Sequence, residues 1–312
     1  MNTAVYLNYV GLGSNLLHLA YCHQIADKYG PVTVITLCKI LQQALDGDPK
    51  IKEVITLEQK NKTLFGIFKI SKILRKKHFD KIFVYYPSYR TQLAAKLASI
   101  KEVNYYPVSE KKNLHLVKKA KFYTEKWLNI KNCPTETKIH INDKNKKTAA
   151  SNLKSEYKNI VLGVGSSGPT TKWGIKNYIE LAKKLNVKTK NYFHILCGPS
   201  EFNLASEIIN ELGNENCNSL SSLSISELVP IISQCDVYIG NDSFGHHIMS
   251  QSGKPCFIIM LDTPRAYTDY SINQYKVLAT NVDADTIDHD SRVNPDTITV
   301  DQVLDKVYKV SF

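Results

Sequence analysis

Short apolar segments of strand-like length alternate with segments of helical spacing along most of this chain. In the first half the strand-like segments are AVYLNYV (4–10), VTVITL (32–37), EVITL (53–57) and KIFVYYP (81–87), and helical spacing follows at 15–30, 38–47, 62–79 and 89–100. Repeated strand–helix units are typical of a parallel sheet whose faces are covered by helices. The alternation therefore predicts an α/β fold.

A polar, charged segment at 142–156 interrupts this pattern and is interpreted as a domain linker. The alternation then restarts, with strand-like segments at 159–165, 192–198, 236–240 and 255–261 and helical ones at 174–185, 201–212, 225–234, from 244 and at 299–312. We therefore predict two α/β domains of similar size, residues 1–150 and 151–312. Ligands of such sheets bind beyond the carboxyl ends of the strands, so the site is expected in the cleft between the two domains.

The chain is basic, with 40 Lys and Arg against 29 Asp and Glu and a formal charge of +11. An excess of positive charge favours acidic partners such as nucleotide diphosphates, nucleic acid or an anionic membrane. Biased composition and solubility explain the same excess about equally well. Nucleic acid is not predicted as a partner, because the basic residues lack a matching aromatic or zinc motif.

The seven cysteines are scattered and form no Cys-x-x-Cys pair. This usage is typical of buried thiols in a reducing cytoplasm rather than of a disulfide framework or a zinc site. The N-terminal residues do not resemble a signal peptide, and the sequence contains no apolar run long enough to span a membrane. A cytoplasmic location is expected.

Three glycine-containing turns follow predicted strands. In GLGSN (11–15), Gly11 and Gly13 would allow a tight turn and close approach of a ligand at a helix start. In GVGSSGPTTKW (163–173), small hydroxyl residues would supply donors to phosphate oxygens and Lys172 a positive charge. The alternatives are an ordinary strand–helix turn for the first and a flexible loop with a solvated lysine for the second.

The third turn, GNDSFGHHIMSQSGKP (240–255), places Asn241 and Asp242 at the carboxyl end of a strand. Asp242 or Ser243 would cap the following helix, whose N-terminus would face a phosphate. Adjacent histidines point about 100° apart on a helix, so His246 and His247 are not expected to share a metal ion. We predict no metal site, and packed helix residues are the alternative for both histidines.

The stretch LSISELVPIISQCDVYIGNDSFGHHIMSQSGKP (223–255) resembles the signature of family 9 glycosyltransferases, the lipopolysaccharide heptosyltransferase family. CGPSE (197–201), GSSGPTTKW (165–173), DGDPKIKEVITL (46–57) and GLGSNLLHL (11–19) are similar to further family segments in the same order. The resemblance implies a GT-B fold, in which two Rossmann-like domains with parallel sheets face each other across a cleft and the last helix returns towards the first domain.

The resemblance also implies an inverting, metal-independent transferase that needs no cofactor. It would move heptose or another sugar from a nucleotide-diphospho-sugar to a lipopolysaccharide or other glycan or glycolipid acceptor. Gly11 and Gly13 would form an acceptor or phosphate loop. The implied donor-binding residues are Ser166, Ser167, Thr171, Lys172, Gly198, Glu201, Asn241, Asp242, Ser243, Gly245 and His247.

The sequence departs from the family pattern where the catalytic aspartate is expected. Ser14 or Asn15 stands there, depending on register, and neither is a simple general base. His18 lies one helical turn further on and is a candidate base, although a core histidine is the alternative. Phe244 replaces a glycine and Gly174 a proline, and the alignment of Lys172 with the family's lysine is open. A degenerate member that binds nucleotide or glycan without turnover is the competing hypothesis.

A basic amphipathic helix is predicted at 62–79. Its charged residues are Lys69, Lys72, Arg75, Lys76 and Lys77, and its apolar ones include Leu64, Ile67, Phe68 and Leu74. This helix would face an anionic membrane or an acidic glycan, giving a peripheral position at the inner face of the membrane. A solvated helix face is the alternative.

Overall fold

The computed structural model describes residues 1–58, 64–107, 109, 115–166 and 171–311. These residues form two compact units, unit 1 (1–140) and unit 2 (141–312). The predicted linker segment falls inside unit 2, where residues 143–150 form a helix. Asn142 caps this helix by accepting a hydrogen bond from the backbone N–H of Asn145, which explains why a polar segment is ordered.

Unit 1 contains a five-stranded parallel sheet of order β3-β2-β1-β4-β5. Its strands are β1 (Thr3–Leu7), β2 (Val32–Thr36), β3 (Ile51–Thr56), β4 (Lys81–Val84) and β5 (Glu102–Tyr105). Its helices are α1 (Leu12–Leu16), α2 (Leu19–Tyr29), α3 (Leu41–Ala44), α4 (Leu64–Lys76), α5 (Tyr89–Leu97) and α6 (Leu116–Leu128). The inner strands are buried on both faces, which is why they are almost continuously apolar.

Unit 2 contains a six-stranded parallel sheet of order β11-β10-β9-β6-β7-β8. Its strands are β6 (Lys158–Gly163), β7 (Asn191–Leu196), β8 (Cys217–Ser219), β9 (Val237–Asn241), β10 (Cys256–Ile259) and β11 (Gln274–Val277). Its helices are α7 (Asp143–Ala150), α8 (Ile175–Lys188), α9 (Phe202–Leu212), α10 (Ile225–Gln234), α11 (Phe244–Gln251) and α12 (Val300–Ser311). Numbered within the unit, this is the doubly wound order 3-2-1-4-5-6.

Each sheet reverses its winding at one place, between β1 and β4 in unit 1 and between β6 and β9 in unit 2. A ligand crevice of a doubly wound sheet opens at this switch point, beyond the carboxyl ends of the strands. The turns 11–15, 163–173 and 240–247 follow β1, β6 and β9. The fold therefore brings the three predicted turns to the two switch points.

The helix predicted at 15–30 is two helices in the structure. α1 ends at Leu16, and α2 begins only at Leu19. The C-terminal helix α12 packs on α8, and its apolar residues Val303, Leu304 and Val307 join the core of unit 2. All seven cysteines are buried free thiols. Across the residues that the structure describes, no helix combines the length and apolar character that a membrane span requires.

Candidate functional site

The first turn of unit 1 has ordinary backbone geometry. Gly11 has φ −72° and ψ 140°, which any residue adopts, and a Cβ built there would meet only Ser14 Oγ, at 3.8 Å. The backbone at Gly11 therefore does not require a glycine. Gly13 and Ser14 lie within the short helix α1 and are partly exposed.

Asn15 is a structural residue rather than one that faces a substrate. Its side chain is buried, with 2% exposure, and its Nδ2 donates hydrogen bonds to the carbonyls of Gly11 (2.7 Å) and Tyr9 (3.2 Å). Its Oδ1 accepts a hydrogen bond from Thr36 Oγ1 at 2.6 Å. The amide thus holds the turn after β1 against the end of β2. Of the two positions considered for the family's aspartate, only Ser14 is partly exposed.

His18 is a core histidine. Its ring is fully buried, stacks on Tyr9 with centroids 4.9 Å apart, and lies edge-on to Tyr21 and Tyr85. Nδ1 contacts the Ser14 carbonyl at 2.7 Å and must donate there, so the proton of the neutral ring is on Nδ1. Burial lowers the pKa of His18 to about 4. A buried, neutral imidazole does not fit the role of general base for an external acceptor, because the acceptor hydroxyl cannot reach it.

Three hydrogen bonds from Thr171 and Trp173 hold the end of the segment after β6 in place. The backbone N–H of Thr171 donates to Asp262 Oδ2 at 2.6 Å, and that of Trp173 donates to Asn241 Oδ1 at 3.1 Å. The buried Trp173 indole donates to the carbonyl of Ile298 at 2.7 Å. This anchoring fixes the backbone on both sides of Lys172. Ser167, predicted to bind the donor, lies outside the described residues.

Lys172 points to Glu201, which follows β7. Lys172 Nζ lies 2.6 Å from Glu201 Oε1. The other carboxylate oxygen accepts a hydrogen bond from the backbone N–H of Gly198 at 3.1 Å, and the N–H of Ser166 lies 3.5 Å from Oε1. Four of the predicted donor-binding residues therefore meet at the carboxyl ends of β6 and β7. The lysine and both N–H groups are the kinds of donor that bind phosphate oxygens.

Asn241 and Gly245 were predicted to bind the donor, but both have packing roles. Asn241 is buried, and its Nδ2 donates to the carbonyl of Val164 at 2.9 Å while its Oδ1 accepts from Trp173. A Cβ on Gly245 would lie 2.4 Å from Leu196 Cδ2, so this glycine lets α11 approach the sheet. Ser243 is the residue that caps α11, since its Oγ accepts from the backbone N–H of Gly245.

Asp242 is paired directly with His246, the histidine that the family pattern does not contain. His246 Nε2 lies 2.6 Å from Asp242 Oδ1, and the Asp242 side chain remains 26% exposed. Burial alone would raise the pKa of Asp242, but the hydrogen bond from His246 and the two neighbouring imidazoles hold it below its ordinary value. Asp242 is therefore a carboxylate at neutral pH, with part of its surface open at the sheet's carboxyl edge. The alternative of a packed helix residue is incomplete for His246, which is buried and also paired with Asp242.

His247 is also buried, and it is bonded to a different residue. Its Nδ1 lies 2.7 Å from the hydroxyl of Tyr270, which in turn lies 3.1 Å from Ser250 Oγ. Burial, followed by the nearby His246, lowers the pKa of His247 well below its ordinary value, so the ring is neutral at neutral pH. Its Nε2 lies 4.0 Å from Asp242 Oδ1. His247 therefore lies in the protein interior next to Asp242 and does not face solvent.

The two histidines and Asp242 approach one another closely enough to be considered as a metal site, with their ligand atoms within 4.8 Å of each other. Gln274 argues against this interpretation. Its Oε1 accepts from the backbone N–H groups of Tyr270 and Ser271, so its Nε2 faces His246 Nδ1, at 3.4 Å. Nδ1 is then the acceptor, and Nε2 carries the proton that points at Asp242. A metal ion would require the Nε2 lone pair, so this arrangement suits a hydrogen-bonded carboxylate–imidazole pair.

Sequence reasoning missed the residues that hold this site together: Tyr270, Gln274, Asp262 and Thr263. Thr263 donates its hydroxyl to Asp242, and Asp262 anchors Thr171. Asp262, Thr263 and Tyr270 follow β10, Gln274 is the first residue of β11, and this segment has no recognisable motif. The fold places β10 between β9 and β11, and only this arrangement brings the four residues near the turn and helix that follow β9.

The profile of glycosyltransferase family 9 (heptosyltransferase) matches residues 87–293. The solved ADP-heptose lipopolysaccharide heptosyltransferase II of E. coli superimposes with a TM-score of 0.73 at 17% identity, over 99% of this chain and 98% of that one. A family 9 glycosyltransferase from Veillonella parvula gives a TM-score of 0.77 at 16% identity, over 99% and 96%. E. coli heptosyltransferase WaaC with ADP gives 0.73 at 12% identity, over 99% of both chains. Curated protein sequences give no significant match. These likenesses show the predicted GT-B fold.

Proposed function

Because this chain belongs to glycosyltransferase family 9, the heptosyltransferase family, we propose that it transfers heptose or another sugar from a nucleotide-diphospho-sugar to a lipopolysaccharide or other glycan acceptor. One observation carries the proposal. At the carboxyl edge of the unit 2 sheet, the Lys172–Glu201 pair follows β6 and β7 and the partly exposed Asp242 carboxylate follows β9, and β6 and β9 flank the switch point. E. coli heptosyltransferase WaaC has been solved with ADP and with ADP-2-deoxy-2-fluoro heptose, which supports a nucleotide-sugar donor.

In the proposed reaction the acceptor hydroxyl attacks the anomeric carbon as the bond to the diphosphate oxygen breaks, with inversion at the carbon, and the proton of the hydroxyl passes to solvent water. Negative charge grows on the departing diphosphate, and positive groups that are already in place stabilise it. Lys172 is the cation placed to do so, and a diphosphate would compete with Glu201 for its ammonium group. The N-terminus of α11 adds a partial positive charge at the same edge. No metal ion takes part in this scheme.

The acceptor side of the proposal rests on Ser14. Of the two positions at which the family's aspartate is expected, depending on register, Ser14 is the partly exposed one. A serine hydroxyl orients an acceptor but is a poor proton acceptor at neutral pH. Since His18 is buried and neutral, a second candidate function stays open: a degenerate member that binds the donor without turnover.

Donor binding can be measured by titrating a panel of nucleotide sugars and nucleoside diphosphates into the parent, Lys172→Ala and Asp242→Asn. A hydrogen bond to a charged group contributes about 1.5–3 kcal/mol. Lys172→Ala loses the cation for the diphosphate and Asp242→Asn loses a charged acceptor for hydroxyl groups of the donor, so each variant should bind the selected donor roughly tenfold to a hundredfold more weakly. Lys183→Ala is the matched control, because Lys183 forms a similar pair with Glu211 on the unit surface, at 3.0 Å. If Lys172→Ala and Asp242→Asn keep the parent's affinity, the donor does not bind at this edge.

Turnover is tested separately, by release of nucleoside diphosphate from the same donor in the presence of truncated lipopolysaccharide. Release that depends on the acceptor supports the transferase. Tight donor binding without release, with every acceptor tried, supports the degenerate alternative.

A further inference from the structure

Helices α4 and α5 cover the same face of the unit 1 sheet. Ile67, Ile70 and Leu74 of α4 share one apolar core with Ala94 and Ala95 of α5, and this core includes side chains of β1, β2 and β4. The two helices also pack against each other. Their outward faces are therefore directed to the same side of unit 1.

The outward faces carry large apolar side chains that the fold leaves in solvent. Phe65 and Phe68 on α4 are 82% and 66% exposed, and Tyr89 on α5 is 72% exposed. Leu93 and Leu97 continue the exposed apolar surface along α5. Phe68, one of the apolar residues of the predicted basic helix, is thus directed outward. The spacing of these residues follows one side of each helix.

The same faces are strongly basic. α4 contains Lys69, Lys72, Arg75 and Lys76, α5 contains Arg90 and Lys96, and neither helix contains an acidic residue. All six basic residues are exposed. We call the exposed residues of α4 and α5 together the α4–α5 surface. Exposed aromatic and leucine side chains on helices whose charged residues are all basic are the composition of an interfacial membrane-binding surface.

We propose that the α4–α5 surface binds an anionic lipid bilayer, with Phe65, Phe68 and Tyr89 inserted at the headgroup level and the basic residues on lipid phosphates. This goes beyond the transfer reaction, since binding to lipid does not depend on donor or turnover. The positive charge of the α4–α5 surface favours an anionic bilayer over a second copy of the chain. A second copy of the chain related by two-fold symmetry would present the same six positive charges to this surface, which opposes self-association.

The two ends of the α4–α5 surface differ. Arg75 donates a hydrogen bond to the Leu97 carbonyl, so the C-terminal ends of the two helices lie together. The exposed aromatics are at the N-terminal ends, and in a strand–helix–strand unit those ends lie at the carboxyl edge of the sheet. Ser14 follows β1 at this edge. Docking by the aromatic end would therefore bring the acceptor turn of unit 1 towards the bilayer, where a lipid-anchored glycan acceptor is held.

The test is co-sedimentation of the full chain with vesicles of phosphatidylcholine, with and without phosphatidylglycerol. The parent should bind only the vesicles that contain phosphatidylglycerol, and binding should fall as salt rises, because salt screens exposed charges. Each basic residue near an anionic bilayer contributes about fivefold, so the Lys69→Gln/Lys72→Gln variant should partition roughly twentyfold more weakly. Phe65→Ser/Phe68→Ser should also lose most of its binding. These side chains are exposed, so the fold is preserved.

Matched controls come from unit 2, where Val187 and Phe202 are 84% and 56% exposed and Lys144 and Lys147 are exposed on α7. Val187→Ser/Phe202→Ser and Lys144→Gln/Lys147→Gln should bind vesicles as the parent does. The proposal is overturned if the parent binds neutral and anionic vesicles equally, or if the α4 variants match these controls. Donor affinity of the α4 variants should equal that of the parent, which separates this result from a failure of the proposed transferase.

Discussion

Replacing Asn15 by Asp tests whether this position serves the fold or the chemistry. The substitution would place the family's carboxylate in the first turn, but the structure predicts damage. One carboxylate oxygen would still accept from Thr36 Oγ1, and the other would face the carbonyl oxygens of Gly11 and Tyr9 that now accept from Nδ2 at 2.7 and 3.2 Å. Two hydrogen bonds are lost and a carboxylate oxygen is placed against two carbonyl oxygens, which together cost about 3 kcal/mol.

The loss should depend on pH in a defined direction. In Asn15→Asp the introduced carboxyl group would lie against two carbonyl oxygens, at a position where the parent side chain is 2% exposed. Both surroundings raise the pKa of this carboxyl group in the folded state. Above the unfolded pKa, near 4, the unfolded chain releases this proton while the folded chain keeps it. Stability of the variant relative to the parent therefore falls as pH rises, by about 1.4 kcal/mol per pH unit until the folded pKa is reached.

The assay is urea unfolding of the parent and Asn15→Asp at mildly acidic and neutral pH. Asn203→Asp, an exposed position in the first turn of α9, controls for the added charge and should raise the unfolding free energy by no more than about 1 kcal/mol, through the helix N-terminus. Equal stability of Asn15→Asp and the parent at neutral pH, especially with increased sugar transfer, would refute the structural interpretation of Asn15.

Three further substitutions follow from the same structure. Ser14→Asp puts the carboxylate at a partly exposed position, so it should change the unfolding free energy by less than about 1 kcal/mol. The variant should also transfer sugar faster than the parent. An unchanged or lower transfer rate in a folded variant contradicts this. His18 has a folded pKa of about 4, below its unfolded value of 6.5, so its contribution to stability is complete above 6.5 and is lost as pH falls towards 4. His18→Phe should reduce the acid sensitivity of urea unfolding in this window by up to about 3 kcal/mol, and an unchanged pH slope would count against a buried neutral His18. Gly240→Ala would bring a Cβ to 2.5 Å from the Gly163 carbonyl oxygen, which costs about 1–3 kcal/mol or more of overpacking and should lower the melting temperature. Gly11→Ala, the control, should leave the melting temperature unchanged. Equal melting temperatures of the two variants would contradict the packing argument.

The alternation of apolar and helical segments was enough to predict the α/β fold, since inner parallel strands must be apolar on both faces. The missed strands were short and at or near sheet edges. β5, β8 and β11 have four, three and four residues and mixed polarity, so they carry little periodic signal. The break between α1 and α2 was missed because the apolar spacing runs through Leu16 and Leu17 without interruption.

The candidate site was predictable as a set of turns but not as a set of contacts. Glycine, asparagine and hydroxyl residues after a strand mark the carboxyl edge of a sheet, and the three turns do lie there. Whether a polar side chain at that edge faces a ligand or holds a loop depends on its neighbours in space. His246 illustrates this, because its partner Gln274 is 28 residues away and carries no motif.

At the carboxyl edges of the two sheets, asparagine and aspartate side chains form different kinds of hydrogen bond. Asn15 and Asn241 each donate to a backbone carbonyl and accept from a neighbouring N–H or O–H, a task that needs an amide and that an ionised carboxylate cannot perform. Asp242, by contrast, receives only donors, from His246 and Thr263. The edge of unit 1 therefore holds an amide in the buried position and a serine in the partly exposed one. A carboxylate introduced at Ser14 would add a proton acceptor at a partly exposed position without removing the hydrogen bonds of Asn15, so effects on turnover and on the fold can be tested separately in this chain.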